Sequence, residues 1–204
     1  MNDFNHRTLE AYNQHLAEYI DGTPSEVSGG VKIWIDHALS LLDDDSTILE
    51  IGSGTGRDAE YIESKGFSVR RTDAADSFVE YLNASGHEAT RLNIVTDEIS
   101  GKYDMIFADA VFLHLSKDEM LDSLIKINES LNEGGILALT LKEGSGSGWS
   151  DAKLNAPRFF QYWRADEITE TLEKTGFGIE SLVEQELDAK KNIWLHIVAT
   201  KEDI

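Results

Sequence analysis

Glu50, Gly52, Gly54, Gly56 and, further along, Asp73 are the residues whose types and spacing could do chemistry. The glycines follow the apolar run Thr47-Ile-Leu-Glu-Ile51. Three alternating glycines strip the side chains from a turn, so a ligand can lie directly against its backbone. The helix expected after the turn aims its free N–H groups at the same place. Thr55 and Asp58 read as the capping pair that starts this helix, carried on through Ala59, Tyr61 and Ile62. Asp73 closes the next expected strand, Ser68–Asp73, where a carboxylate can accept both hydroxyls of a ribose. The spacing narrows the ligand. A dinucleotide fingerprint would place its third glycine at Arg57, and the Gly-Lys-Ser/Thr ending of a P-loop is missing. A nicotinamide-dependent oxidoreductase is disfavoured accordingly.

The elements around the turn point to an open α/β sheet. Tyr103–Ala108 reads as a buried strand whose end, Ala108-Asp109-Ala110, falls at the switch point where such sheets bind ligands. His114 follows, ahead of a Ser116/Glu119 capping pair and a helix to Leu131 with Leu121, Leu124, Ile125 and Ile127 inward. Another helix, Gly30–Leu42, is expected to bury Ile33, Trp34, Ala38 and Leu41, and a Ser77/Glu80 pair to cap one carrying Phe78, Val79 and Leu82. Phe78 is taken as core. Residues 88–92 form a third strand ending at Asn93 and Ile94, and 136–141 a fifth after the Gly134-Gly135 turn. Residues 142–150, rich in glycine and serine, have a linker's composition. They leave the ligand-bearing edge of the sheet, however, and are read as a mobile substrate loop carrying Trp149. The chain returns through Arg158-Phe-Phe-Gln-Tyr-Trp163. Arg158, with Tyr162 close by, is either an anion clamp or the partner of one of the abundant acids above a small aromatic cluster. A helix closed by Gly176 and a hairpin of residues 178–186 and 193–200, joined by residues 188–192, end the fold.

With 204 residues, one α/β domain is expected. Its parts are N-terminal helices (1–45), a ligand-binding core (46–142), a substrate loop (143–164) and a closing helix and hairpin (165–204). Lys and Arg number 18 against 38 Asp and Glu, a formal charge of −20 that would repel nucleic acid. Without cysteine there is no disulfide, thiolate nucleophile or cysteine-bound metal. His114 has no second ligand at metal spacing, and no metal is expected. Neither a membrane span nor a secretory signal is visible, so a cytoplasmic protein is expected.

Glu50 to Gly56, Asp73, the stretch Tyr103–His114 and Leu131-Asn-Glu-Gly-Gly-Ile-Leu137 together resemble the successive motifs of class I S-adenosylmethionine-dependent methyltransferases, over nearly the whole chain. Small bacterial members are the most similar, with Gly-Arg-Asp after the turn, Leu-His after the fourth strand and a late Arg-Phe-Phe. The resemblance implies a doubly wound, Rossmann-like seven-stranded sheet of order 3-2-1-4-5-7-6, the last strand antiparallel, with helices on both faces. It implies that S-adenosylmethionine is held by Glu50, Gly52, Ser53, Gly54, Gly56, Arg57, Asp73 and Ala74. Asn93 and Ile94 would meet the adenine and Ala108 the methionine end, and S-adenosylhomocysteine would be the product. The N-terminal helix would lid the cleft through Tyr12 and Tyr19, two rings that could instead merely pack it down. His114 would lie near the methyl group, as a proton acceptor or as a loop-holding histidine, with Tyr12 and Asp109 the other residues to test as acceptors. Tyr19, Trp149, Arg158 and Tyr162 would face a small-molecule acceptor. A monomer or homodimer is expected, with a non-catalytic cofactor-binding module as the alternative.

Overall fold

Two runs of consecutive buried residues set the centre of the fold. They are β1 (Thr47–Ile51) and β4 (Tyr103–Ala108), paired in parallel from Ile48 opposite Met105. Strands buried on both faces need a layer of helices on each side. The computed structural model, which describes residues 3–186 and 192–202, has this arrangement. Outward from β1 lie β2 (Ser68–Asp73) and β3 (Ala89–Arg91); beyond β4 lie β5 (Leu131–Lys142), β9 (Ile193–Lys201) and β8 (Phe177–Glu186). The order β3-β2-β1-β4-β5-β9-β8 is the expected one, and β9 runs antiparallel to both neighbours. Residues 187–191, which hold most of the connection expected at 188–192, lie outside the described residues.

Alternation along the strands divides the core in two. Leu49, Ile106, Leu137 and Leu139 face α6 (Lys117–Ser130) and α7 (Ala165–Lys174) through Leu124, Ile127, Ile168 and Leu172. Ile48, Met105, Phe107 and Ala138 face α3 (Gly29–Leu39) and α4 (Arg57–Glu63) through Trp34, Ile35, Ala38 and Ile62. Trp34 Nε1 donates to the Ile197 carbonyl at 3.0 Å and pins α3 to β9. Two inward faces differ from expectation. Ile33 is 71% exposed, Leu41 is exposed beyond the end of α3, and Leu121 and Ile125 are exposed on α6. At about 3.6 residues per turn, Ile33 lies opposite the Trp34–Ala38 stripe and Ile125 opposite the Met120–Leu124–Ile127 stripe. An apolar residue adjacent to a core position need not share its face.

The helix starts also differ. Ser116 and Glu119 do form the expected reciprocal box on α6. Helix α4, by contrast, is capped by Gly56 at φ 85°, not by Thr55, and α5 (Asp76–Ala84) begins before Ser77. Other side chains satisfy the N–H groups at its start: the N-cap Ala75 N–H donates to Asp73 Oδ1, two residues back, and Ser77 N–H to Asn13 Oδ1 on the distant N-terminal helix. The single expected N-terminal helix is two, α1 (Asp3–Gln14) and α2 (Leu16–Asp21), bent at His15. A periodic stripe decides which residues face inward, not whether the axis bends between them.

The 142–150 segment is the largest departure. Ser147–Ser150 forms β6, paired antiparallel with β7 (Arg158–Gln161), Trp149 opposite Phe159. Trp149 packs near Phe4 and Phe159 and carries the Arg7 guanidinium over its ring at 4.1 Å. This two-stranded sheet clamps α1 over the C-terminal ends of the central strands. Among the described residues no helix is long and apolar enough to cross a membrane.

Candidate functional site

The turn after β1 is locked before any ligand is considered. Gly52 and Ser53 N–H both donate to the Thr72 carbonyl at 2.8 Å, and Gly54 N–H donates to Asp73 Oδ2 at 2.9 Å. Gly52 has φ 77°, and a Cβ there would sit 2.3 Å from Val111 Cγ2, so the residue type follows from both dihedral and space. With one oxygen on Gly54 and the other on Ala75, Asp73 is fixed in orientation and keeps lone pairs for a ligand. Burial, resisted by those backbone donors, pushes its carboxyl up to about 6.

A narrow cavity of about 90 Å³ opens against this turn. Gly52, Gly54, Asp73, Ala74, Asn93 and Ile94 line one side, and Tyr12, Tyr19 and Phe78 close it from the helices. Phe78, expected in the core, is buried and yet forms cavity wall against both tyrosines. Asn93 reaches the wall with its amide engaged, Oδ1 accepting from Val95 N–H and Nδ2 donating to Asn5. Glu50, Ser53, Gly56, Arg57 and Ala108 do not line it. Glu50 is buried beneath the turn with Oε2 unpartnered, and burial together with the Asp58 charge pushes its carboxyl up to about 8. Arg57 ties Asp58, at 2.8 Å, to Asp109, at 3.2 Å. Asp58 is pushed upward by burial and by the Asp109 charge.

A second, wider cavity of about 460 Å³ adjoins the first. Tyr12, Tyr19, Ala110 and His114 line both and form the partition between them. Ala110 takes φ 57°, strain of the kind concentrated at functional sites, and its N–H donates to Thr140 Oγ1. Thr140 donates in turn to Asp109 at 2.6 Å. Both Asp109 oxygens are therefore engaged, one by Thr140 and the other by Arg57, which ties the partition to β5 and α4.

Both His114 nitrogens are also engaged. The Phe159 carbonyl, 2.6 Å from Nδ1, can only accept, so Nδ1 carries the proton and Nε2 accepts from the Tyr12 hydroxyl at 2.8 Å. Burial, with the Arg158 and Lys142 charges adding to it, pushes His114 down to about 3 and keeps it neutral. Burial pushes Tyr12 upward despite Arg158, whose Nη1 donates to its hydroxyl at 3.2 Å. His114 thus bridges β7 and Tyr12, and Tyr12 links α1 to both His114 and β7. Arg158 lines the second cavity, whereas Trp149 and Tyr162 line neither. The sequence reading missed Lys142, Lys153, Phe160 and Trp194 in that cavity. The one signal available for the lysines was cation clustering after β5 in an acidic chain.

A glycine-floored turn, a carboxylate at the end of β2 and a strand, β9, antiparallel to both its neighbours place the fold in the Rossmann-like methyltransferase class. Residues 27–182 match the methyltransferase-domain family, and the chain belongs to it. S-adenosylmethionine is the cofactor of this class. A probable S-adenosyl-L-methionine-dependent methyltransferase, TehB of Haemophilus influenzae, is 28% identical over 95 residues, 43% of this chain. The match spans about a third of that relative's length, 33%. The fold is similar to that of an S-adenosylmethionine-dependent methyltransferase from Methanosarcina mazei, with TM-score 0.71 and 18% identity over 82% of this chain and 97% of the other. It is also similar to the 1,6-didemethyltoxoflavin-N1-methyltransferase of Burkholderia thailandensis, with TM-score 0.74 and 16% identity over 98% and 87% of the two chains.

Proposed function

We propose that the first cavity receives S-adenosylmethionine, that the second receives a small-molecule acceptor, and that the methyl group crosses the partition of Tyr12, Tyr19, Ala110 and His114. The observation that carries this reading is the pair of adjoining cavities sharing one wall, with the glycine turn and Asp73 on one side only. The residues present fit the cofactor. Side-chain-free Gly54, where a Cβ would meet nothing nearer than the Tyr19 ring at 3.8 Å, leaves backbone open to a ligand, and the oriented Asp73 carboxylate suits a ribose diol.

When bound, the cofactor supplies a sulfonium methyl that is already electrophilic. What remains for the chain is to align and to exclude water. Tyr12, Tyr19 and Phe78 cover the first cavity, and the Arg158–Tyr12–His114–Phe159 hydrogen bonds hold its wall in place. Ala74, Asn93 and Ile94 lie where the adenosine end would rest, Asp109 stands in the cavity wall, and Glu50 and Arg57 support the turn and the strand ends from behind. A cavity of about 460 Å³ falls in the range of small-molecule sites and supports an acceptor of that size. The 1,6-didemethyltoxoflavin bound by the Burkholderia enzyme is a small molecule too.

Asp73→Ala tests the reading. S-adenosylhomocysteine affinity should fall by about 1–3 kcal/mol, the cost of leaving polar partners unpaired. Unchanged affinity in a folded variant would remove Asp73 from the site.

A further inference from the structure

The second cavity has a charge at odds with the rest of the molecule. The chain carries −20, yet Lys142, Lys153 and Arg158 line this space, and no Asp or Glu does among the described residues. Arg158 is 5% exposed and its Nε has no hydrogen-bond partner; Nη1 reaches only the neutral Tyr12 hydroxyl. Among the described residues no carboxylate lies at ion-pair distance from it. A buried guanidinium without a counter-charge is costly, and 38 acidic residues could have supplied one. The Lys153 ammonium lies 3.8 Å from the centre of the Tyr19 ring and donates to Thr23 Oγ1 at 2.7 Å. Lys142 Nζ lies 4.3 Å from the Phe160 centroid, with Trp194 beside it. Cations alternate with aromatic faces around one volume.

We infer that the second cavity is an anion site, and that the methyl acceptor is a small anion whose carboxylate or oxyanion group sits against Arg158 and Lys153. The word acceptor rests on the proposed methyl transfer; the anion site does not. The chemistry of the partition agrees. Both His114 nitrogens are committed, Nδ1 to the Phe159 carbonyl and Nε2 to the Tyr12 hydroxyl, so the histidine of the shared wall is not free to take a proton from an acceptor. An acceptor that arrives as an anion needs no such group. Its lone pair forms the new bond to the methyl carbon, the carbon–sulfur bond breaks with its electron pair passing to sulfur, and no proton is released. The surrounding cations keep such a group ionised at neutral pH.

The test is a titration of the whole chain with salicylate, benzoate, inorganic phosphate and inorganic sulfate at constant ionic strength. Neutral salicylamide serves as control, and S-adenosylhomocysteine is titrated separately. At least one anion should bind about tenfold or more tightly than salicylamide, and Lys153→Gln should weaken that binding severalfold with the melting temperature unchanged. Arg158→Lys, which keeps the charge and loses the fork, should weaken it further. Preference for salicylate over phosphate and sulfate would identify an organic acid, and the reverse a bare oxyanion. Anions binding no better than salicylamide, or affinity indifferent to Lys153→Gln, would overturn the inference. Anion binding without S-adenosylhomocysteine binding would keep the anion site and remove the methyl-transfer reading.

Discussion

Gly52→Ala is the substitution whose cost the structure allows to be worked through. Two terms contribute. Residue 52 has φ 77°, where an L side chain costs about 1–2 kcal/mol. The new Cβ would also stand 2.3 Å from Val111 Cγ2, an overlap of the overpacking kind that costs about 1–3 kcal/mol. Together these give about 2–5 kcal/mol, or roughly 4–20 °C in melting temperature for a domain of this size. Only the second term depends on Val111. In a double-mutant cycle with Val111→Ala, measured by urea denaturation, the pair should recover about 1–3 kcal/mol relative to the sum of the singles, while the backbone term remains. Since both residues line the first cavity, S-adenosylhomocysteine affinity should fall in Gly52→Ala and return in part in the double variant. Additive singles, or an unchanged melting temperature in Gly52→Ala, would refute the packing argument.

Tyr12→Phe leaves the His114 Nε2 acceptor and the Arg158 Nη1 donor without partners, and should cost about 1–3 kcal/mol of stability by urea denaturation. Glu50 keeps its proton in the folded chain up to about pH 8, while the unfolded chain releases it above about 4.5. Between those values the native state binds more protons, so Glu50 lowers stability progressively as pH rises. Glu50→Gln should therefore stabilise the protein more at about pH 8 than at about pH 5, as thermal melts at the two values can check. Lys153 is drawn down to about 8, by burial first and then by Arg158 and Arg57, with Asp109 opposing. Salicylate affinity should accordingly fall severalfold as pH rises through that value, and calorimetric titration of Lys153→Gln should show no such fall.

The sheet was legible because each strand announces itself locally. β1 and β4 are apolar runs at the observed positions, β2 ends on Asp73 as expected, and the glycine turn can hardly be anything else. What was not legible depended on partners far away in the chain. Gly56 caps α4 at φ 85°, and a Cβ there would meet Leu82 Cδ2 of α5 at 2.8 Å, a contact that crosses to another helix. The Ser-Gly stretch around residue 147 looked like linker because a ladder is created by the opposite strand, here Arg158–Gln161. His114 and Arg158 were both singled out, yet the contacts they make, with Phe159 and Tyr12 and with no carboxylate near Arg158 among the described residues, could not be read from the sequence. Proton inventory and charge balance are properties of assembled space, and periodicity holds no record of them.

The central claim is that the cavity floored by Gly52 and Gly54 takes an adenosyl sulfur ligand. Calorimetric titration of the whole chain with S-adenosylhomocysteine, with NAD alongside, tests it most directly. Micromolar binding of S-adenosylhomocysteine and none of NAD is the predicted result. NAD bound as tightly, or neither ligand bound at all, would contradict the account.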